Sequence, residues 1–284
     1  MLLEGNLTGV QHLGIFVPDL EAAKTWYVDK LGFRVQSEPS FESDGETYNL
    51  AFLERDDMVL ELVQPPTAQR PAVAQRSHGV IDHFALDVID IESALSAALA
   101  RGARQDSSTP DGPVDFSLWE KGVRYVFLSG PQGEKVELNQ RLDLDPSRRE
   151  ENVGGWSHLG IPTHDIDASR EFYRRLGFSE VLYQEVPGPD GTTKILMMAI
   201  GNFMVELYQL PGFDAEAAAA LQDGVIDHIA LDVRDAAQAF ADLQQAGIQP
   251  LEDSPVRLPL WENGVSYFNV RGPNGEKIEF NQVF

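Results

Sequence analysis

A short pattern that occurs four times constrains the fold of this chain more than any other sequence feature. Each copy carries a His near its start and a Glu near its end, and both lie in apolar runs typical of strands. A carboxylate inside an apolar strand is unfavourable unless its charge is compensated, and a divalent metal is the simplest compensation. We number the copies modules one to four, with the pairs His12 and Glu61, His83 and Glu137, His158 and Glu206, and His228 and Glu279.

The two halves of the chain are themselves duplicates. Residues 79–83 recur as 224–228, and residues 130–140 recur with few changes as 272–282. A polar, charged stretch between the copies is typical of a linker. The repeats therefore predict two halves of two modules each, at residues 1–142 and 154–284, with a linker at 143–153.

Every module shows the same order of secondary-structure signals. An Asp suited to an N-cap follows the His-bearing strand, an amphipathic segment comes next, and a Gly suited to a left-handed C-cap ends it. Strand-like runs separated by Gly, Asp and Pro turns follow each helix. The prediction is an α+β chain of β-α-β-β-β modules, with helices at about residues 20–30, 91–101, 167–175 and 236–246.

Composition limits the partners and the metal ligands. The chain has 284 residues, no Cys and a net charge of -23. Without Cys, disulfides, thiolate nucleophiles and Cys-based metal sites are excluded, so any metal must use nitrogen and oxygen ligands. The acidic balance argues against nucleic acid and anionic membranes as partners. Because we find neither a signal-peptide pattern nor an apolar run of about 20 residues, we expect a cytoplasmic protein.

From about Thr8 to Phe284 the chain resembles the vicinal oxygen chelate superfamily, which includes glyoxalase I, bleomycin-resistance proteins, methylmalonyl-CoA epimerase and extradiol dioxygenases. The resemblance implies that each half is glyoxalase-like, that modules pair into open, cup-shaped mixed sheets with helices outside, and that four modules form two such sheets. It also implies that the first and last strands of each module line the cup. Modules one and two could pair, and three and four; or one could pair with four, and two with three.

Two paired modules would supply two imidazoles and two carboxylates to one metal ion. This set suits Zn, Fe, Mn, Ni or Co rather than Ca or Mg. Asn139 and Asn281 stand two residues after a Glu and share its face of the strand, so we expect each to bond that Glu or to contact substrate. Trp119 and Trp261 precede the penultimate strands of modules two and four, where they either pack or form an aromatic wall over the site.

The resemblance implies one leading function. This is a metal-dependent lyase or isomerase of the glyoxalase I type, acting on a small molecule that chelates the metal. One metal-bound Glu would move a proton next to the chelated carbonyl. Glu137 and Glu279 are our first choices for this catalytic role, and Glu61 and Glu206 are the alternatives. A homodimer is one assembly open to such a protein.

Two other functions remain open on the same resemblance. An extradiol Fe(II) dioxygenase would use His158, His228 and Glu279, and a hydroquinone-type enzyme would use His12 in place of His158. The Tyr expected near the last turn in that family is replaced here by Asn269, with Tyr267 two residues away. A small-molecule-binding resistance protein is the third alternative, although such proteins generally lack the ligand set that all four modules retain.

Overall fold

The four modules are continuous blocks of secondary structure in a computed structural model that describes residues 1–43 and 45–284. Module one contains β1 (Leu7–Phe16), α1 (Leu20–Leu31), β2 (Arg34–Ser37), β3 (Ser40–Ser43), β4 (Glu46–Arg55) and β5 (Met58–Gln64), and the short helix α2 (Arg70–Val73) follows it. Module two contains β6 (His83–Val88), α3 (Ile91–Ala100), β7 (Arg104–Gln105), β8 (Val114–Phe116), β9 (Val123–Ser129) and β10 (Lys135–Arg141).

The second half of the chain repeats this order after a short 3-10 helix at Pro146–Arg148. Module three contains β11 (Val153–Pro162), α4 (Ile166–Leu176), β12 (Ser179–Gly188), β13 (Gly191–Ile200) and β14 (Phe203–Gln209), and α5 (Ala215–Ala220) follows it. Module four contains β15 (Ile226–Val233), α6 (Ala236–Gln245), β16 (Val256–Leu258), β17 (Val265–Arg271) and β18 (Lys277–Val283).

The four long helices begin and end within one residue of the predicted positions, because the capping signals act as expected. The side chains of the preceding Asp residues accept backbone N–H groups of the first turn, at Asp19, Asp90, Asp165 and Asp235. A Gly with a positive φ follows each helix, at Gly32, Gly102, Gly177 and Gly247. These glycines allow the left-handed turn that returns the chain to the sheet.

The modules pair one with four and two with three. The first sheet has the strand order β16-β17-β18-β15-β1-β5-β4-β2, with β3 also on β4. The second has the order β12-β13-β14-β11-β6-β10-β9-β7, with β8 also on β9. Within the described residues each sheet has nine strands and is mixed, since paired modules meet through antiparallel first strands while the first and last strands of one module run parallel. Each sheet therefore takes one module from each half of the duplicated sequence.

Two buried Tyr–Glu hydrogen bonds connect the sheets. Tyr27 on α1 of module one donates to Glu134 Oε1 of module two at 2.5 Å, and Tyr173 on α4 of module three donates to Glu276 Oε1 of module four at 2.9 Å. Both carboxylates are at most 2% exposed. The long helices and both sheets share one hydrophobic core, so the two cups form a single packed unit.

Candidate metal centres

The predicted ligands of modules one and four lie on the four central strands of the first sheet, β18, β15, β1 and β5. Two rows of paired residues cross these strands. One row runs Glu279, Ala230, His12, and the adjacent row runs His228, Gly14, Glu61. A small residue occupies the middle of each row, so the flanking side chains can meet above it. We call this group of four ligands the 1/4 centre.

The second sheet repeats the arrangement with modules two and three. Its rows run Glu137, Ala85, His158 and His83, Gly160, Glu206. We call this group the 2/3 centre. All eight predicted ligands are thus brought together in two groups of four, one in each cup.

In the 1/4 centre the four side chains converge on one point. His12 Nε2 lies 3.2 Å from His228 Nε2, 3.3 Å from Glu61 Oε2 and 4.0 Å from Glu279 Oε1. His228 Nε2 lies 3.6 Å from Glu61 Oε2 and 3.8 Å from Glu279 Oε2. Glu279 is therefore the more distant of the two carboxylates from the imidazoles.

In the 2/3 centre the separations are shorter and more even. The two Nε2 atoms of His83 and His158 are 3.2 Å apart. Glu137 Oε2 lies 3.2 Å and 3.6 Å from these nitrogens, and Glu206 Oε2 lies 3.6 Å and 3.5 Å from them. Here distance does not distinguish the two carboxylates.

Hydrogen bonds behind the rings orient both imidazoles of the 1/4 centre. His228 Nδ1 donates to Asp227 Oδ1 at 3.1 Å, and that carboxylate is also held by Lys277 Nζ at 2.6 Å. Gln11 donates its amide N–H to Asp232 at 3.0 Å, which leaves its Oε1 to accept from His12 Nδ1 at 2.7 Å. Because Nδ1 of each ring faces an acceptor, Nε2 of each ring points into the centre.

The 2/3 centre orients its rings with different partners. His83 Nδ1 donates to Asp82 Oδ2 at 2.9 Å, and Lys135 Nζ lies 2.9 Å from the other oxygen of that carboxylate. His158 Nδ1 instead lies 3.2 Å from the Ser157 hydroxyl. Each centre thus has one imidazole backed by a carboxylate and one backed by a neutral group.

Burial and mutual proximity shift the pKa values of these groups. Burial alone would raise the pKa of Glu61, but the His12 and His228 imidazoles outweigh it and lower that pKa to about 2. Burial alone would lower the pKa of His228, but Asp227, Glu61 and Glu279 raise it to about 10. Burial raises the pKa of Glu279 and of Glu206 despite their imidazole neighbours. Without an ion, protons supply the positive charge that these clusters need.

The residues present fit a divalent transition metal. Bonds of about 2.1 Å place neighbouring donors about 3.0–3.4 Å apart around one ion, close to the observed nitrogen and oxygen separations. Two imidazole lone pairs and two carboxylates facing one another are electrostatically unfavourable unless a cation lies among them. The carboxylates behind His83 and His228 supply the outer support typical of metal-bound imidazoles. Either centre could hold a metal.

A cavity opens above each centre. The 1/4 cavity has a volume of about 240 Å³ and the 2/3 cavity about 290 Å³. Asn281 and Asn139 line them and donate to Glu279 Oε1 at 2.7 Å and to Glu137 Oε1 at 2.6 Å. Trp261 and Trp119 line the same two cavities. Contact of these four residues with substrate remains a prediction.

The sequence patterns did not assign Tyr125 or Gly14 to the centres, and Tyr267 was considered only as a residue displaced from the Tyr expected in dioxygenases. Tyr125 and Tyr267 line the two cavities and pair directly with Asn139 and Asn281 on the neighbouring strands. Tyr125 and Tyr267 occupy equivalent positions in the duplicated halves, and this repetition could have identified them in the sequence. Gly14 was also missed, although a Gly recurs two residues after the His in modules one and three.

A family model for the Glyoxalase/Bleomycin resistance protein/Dioxygenase superfamily matches residues 9–138 and 155–280 of this sequence. The chain belongs to this superfamily. Its two matched segments correspond to the duplicated halves, while each cup combines modules from both segments.

Two curated relatives each match about half of this chain. The uncharacterized protein YwbC of Bacillus subtilis is 30% identical over 135 residues, which cover 46% of this chain and 97% of that protein. The mitochondrial methylmalonyl-CoA epimerase of Homo sapiens is 25% identical over 135 residues, which cover 46% of this chain and 76% of that protein. Both similarities are consistent with a tandem form of a superfamily unit.

Two solved structures share the fold over nearly the whole chain. Glyoxalase I from Zea mays aligns with a TM-score of 0.71 at 19% identity, covering 96% of this chain and 92% of that chain. A putative dioxygenase from Bacillus subtilis aligns with a TM-score of 0.65 at 12% identity, covering 98% of this chain and 86% of that chain. These likenesses show the fold.

Proposed function

We propose that the chain is a divalent-metal-dependent enzyme that moves a proton on the carbon next to a chelated carbonyl, as a lyase or isomerase of the glyoxalase I type. The observation that carries this proposal is the convergence, in both cups, of two imidazole Nε2 atoms and two carboxylates beneath a cavity. Superfamily membership and similarity to a methylmalonyl-CoA epimerase support an enzyme of this kind.

The ligands proposed for the 1/4 centre are His12, Glu61, His228 and Glu279, and those for the 2/3 centre are His83, Glu137, His158 and Glu206. The ion could be Zn, Fe, Mn, Ni or Co, because all of these accept mixed imidazole and carboxylate ligands. A bound divalent ion would polarise a chelated carbonyl and so acidify the neighbouring C–H bond.

Glu279 is the proposed proton carrier of the 1/4 centre. Its carboxylate lies farther from the imidazoles than that of Glu61, and Asn281 holds one of its oxygens at 2.7 Å. The other oxygen can then take a proton from substrate and return it without loss of the side chain's position. Glu137, held in the same way by Asn139, is the proposed counterpart in the 2/3 centre.

A small molecule with two vicinal oxygens is the proposed substrate. The cavities of about 240 and 290 Å³ suit such a molecule.

Among the described residues, we find no helix long and apolar enough to cross a membrane. Cytoplasmic location and a homodimeric assembly are further parts of the proposal.

Solvent-deuterium exchange tests the reaction. Protein loaded with Zn²⁺, Ni²⁺ or Co²⁺ is incubated in D₂O with hemithioacetals of methylglyoxal and with α-hydroxyketones, and NMR follows deuterium at the carbon next to the carbonyl. We expect exchange that a chelator abolishes and that Glu279→Gln together with Glu137→Gln removes. The exposed Glu262→Gln serves as control. Exchange that survives both chelation and the double substitution would contradict the proposal.

A ring-cleaving dioxygenase is the second candidate. The pairing of modules one and four brings His12, His228 and Glu279 together, the set expected for a hydroquinone-type enzyme. Tyr267 lies two residues from Asn269, and therefore on the same face of β17 and in the cavity. Glu61 counts against this candidate because it adds a fourth ligand. Oxygen uptake by anaerobically prepared Fe²⁺ protein with catechol or hydroquinone would favour it.

A further inference from the structure

The duplication allows the walls of the two cavities to be compared position by position. Asn269 on β17 pairs directly with Glu279, and Phe127 on β9 pairs in the same way with Glu137. Both residues line their cavities. The position beside the proposed proton carrier is therefore an amide in the 1/4 centre and a phenyl ring in the 2/3 centre.

The side chains of Asn269 and Asn281 line the 1/4 cavity. Asn269 is 8% exposed and donates through Nδ2 to Glu252 Oε1 at 2.9 Å, and Asn281 is 4% exposed and donates through Nδ2 to Glu279. Because each NH₂ group already faces a carboxylate, each Oδ1 must be the remaining acceptor. Neither Oδ1 has a hydrogen-bond partner among the described residues. Because a buried acceptor left unpaired is costly, a ligand whose donor reaches either oxygen would gain a hydrogen bond there.

The 2/3 cavity presents no equivalent pair within the described part of the chain. Asn139 Oδ1 accepts from the Ser157 hydroxyl at 3.4 Å, and the second amide is replaced by Phe127. The Phe127 ring lies 5.2 Å from the His83 ring, which places an apolar surface next to this centre. A ligand donor at this position would face a phenyl ring, while an apolar group would pack against it.

We propose that the two centres take different chelating substrates. The 1/4 centre takes one that carries a further hydroxyl or amine donor beside its chelating oxygens, and the 2/3 centre takes one that carries an apolar group there. This inference rests on the proposed function in one respect, that each centre binds a metal-chelating small molecule.

Two hydroxamic acids of nearly equal size test whether the two centres prefer different ligands. Glycolohydroxamic acid carries a hydroxyl where propionohydroxamic acid carries a methyl group, and both chelate Zn²⁺ through the same atoms. His83→Ala leaves only the 1/4 centre, and His12→Ala leaves only the 2/3 centre. Isothermal titration calorimetry on the Zn²⁺-loaded variants measures both dissociation constants in each centre.

We expect the 1/4 centre to bind glycolohydroxamic acid about tenfold more tightly than propionohydroxamic acid, the value of one good hydrogen bond to a buried acceptor. We expect the 2/3 centre to prefer propionohydroxamic acid by about threefold or more, as burial of one methyl group predicts. If the ratio of the two dissociation constants were the same in both centres, the inference would be overturned.

Exchange of the two wall residues provides the matched test. Asn269→Phe in the 1/4 centre should weaken the preference for the hydroxyl with the metal retained, because only the Asn281 oxygen then remains of the two unpaired acceptors. Phe127→Asn in the 2/3 centre should abolish the preference for the methyl group. Should Asn269→Phe fail to fold, Phe127→Asn alone decides the matter. An unchanged ratio in a folded, metal-loaded variant would overturn the inference.

The outcome is separable from that of the proposed reaction, because equilibrium binding needs no turnover. Protein that shows these preferences but exchanges no proton contradicts only the proposed reaction. Protein that exchanges protons but binds both hydroxamic acids with equal ratios in both centres contradicts only the present inference.

Discussion

The imidazole of His228 lies directly over the α-carbon of Gly14, where an added β-carbon would come within 2.0 Å of its Cε1 atom. Gly14 pairs with His228 on one neighbouring strand and with Glu61 on the other. The bare backbone is what allows the ring to lean across β1 toward the carboxylate. Gly160 stands in the same relation to His83, with the same 2.0 Å approach.

Gly14→Ala should therefore displace His228 and remove metal from the 1/4 centre alone, because the clash is with a buried ring. We expect metal content by mass spectrometry to fall from about two ions per chain to about one. Gly9→Ala on the same strand is the matched control, since a β-carbon there meets no atom of the described residues within 4 Å. Full metal content in Gly14→Ala would refute the positioning role of this glycine.

Asp227→Asn should weaken metal binding in the 1/4 centre by about 10–100-fold, because the amide keeps the bond to His228 Nδ1 but loses the charge behind it. Competition with a chromophoric chelator gives the dissociation constant. Asp223→Asn is the control, since Asp223 lies 3.6 Å from Lys277 but is not a partner of the imidazole. Equal affinity in Asp227→Asn and the natural protein would show that the carboxylate does not support the ligand.

Glu276 should make stability depend on pH. Burial raises its pKa from 4.5 to about 7, against hydrogen bonds from the backbone, Tyr173 and Asn274. Between these values the folded chain keeps a proton that the unfolded chain has released, so stability falls as pH rises through this window. The shift lowers the free energy of unfolding by about 3 kcal/mol above pH 7 and does not change it below pH 4.5.

Glu276→Gln removes this titration, so we expect its free energy of unfolding to rise relative to the natural protein as pH increases from about 5 to about 8. Urea unfolding at several pH values provides the comparison, with the exposed Glu262→Gln as control. Parallel pH profiles for Glu276→Gln and the natural protein would refute the assignment to Glu276.

Much of the fold and all eight proposed ligands could be predicted from the sequence. An Asp at each N-cap and a Gly after each helix determine where α1 and its three counterparts begin and end, and such signals need no knowledge of tertiary contacts. His and Glu recur in register because each must reach the same point of a cup. Repetition therefore identified eight residues that single positions would not have distinguished.

The grouping of these residues could not be predicted, because the choice of partner module depends on contacts between distant segments. Pairing of β1 with β15 joins the first module to the last, and the alternative with adjacent modules uses similar strands. The hydrogen-bond partners of the imidazole Nδ1 atoms could not be predicted from the sequence either. Whether Gln11 presents its oxygen to His12 depends on Asp232 of another module.

Metal content of double variants tests the two-centre arrangement most directly. His12→Ala with His228→Ala disables one centre, so mass spectrometry should find about one metal ion per chain. His12→Ala with His83→Ala disables both, so it should find none. The reverse result, with no metal in the first variant and one ion in the second, would contradict the pairing of modules one with four and two with three.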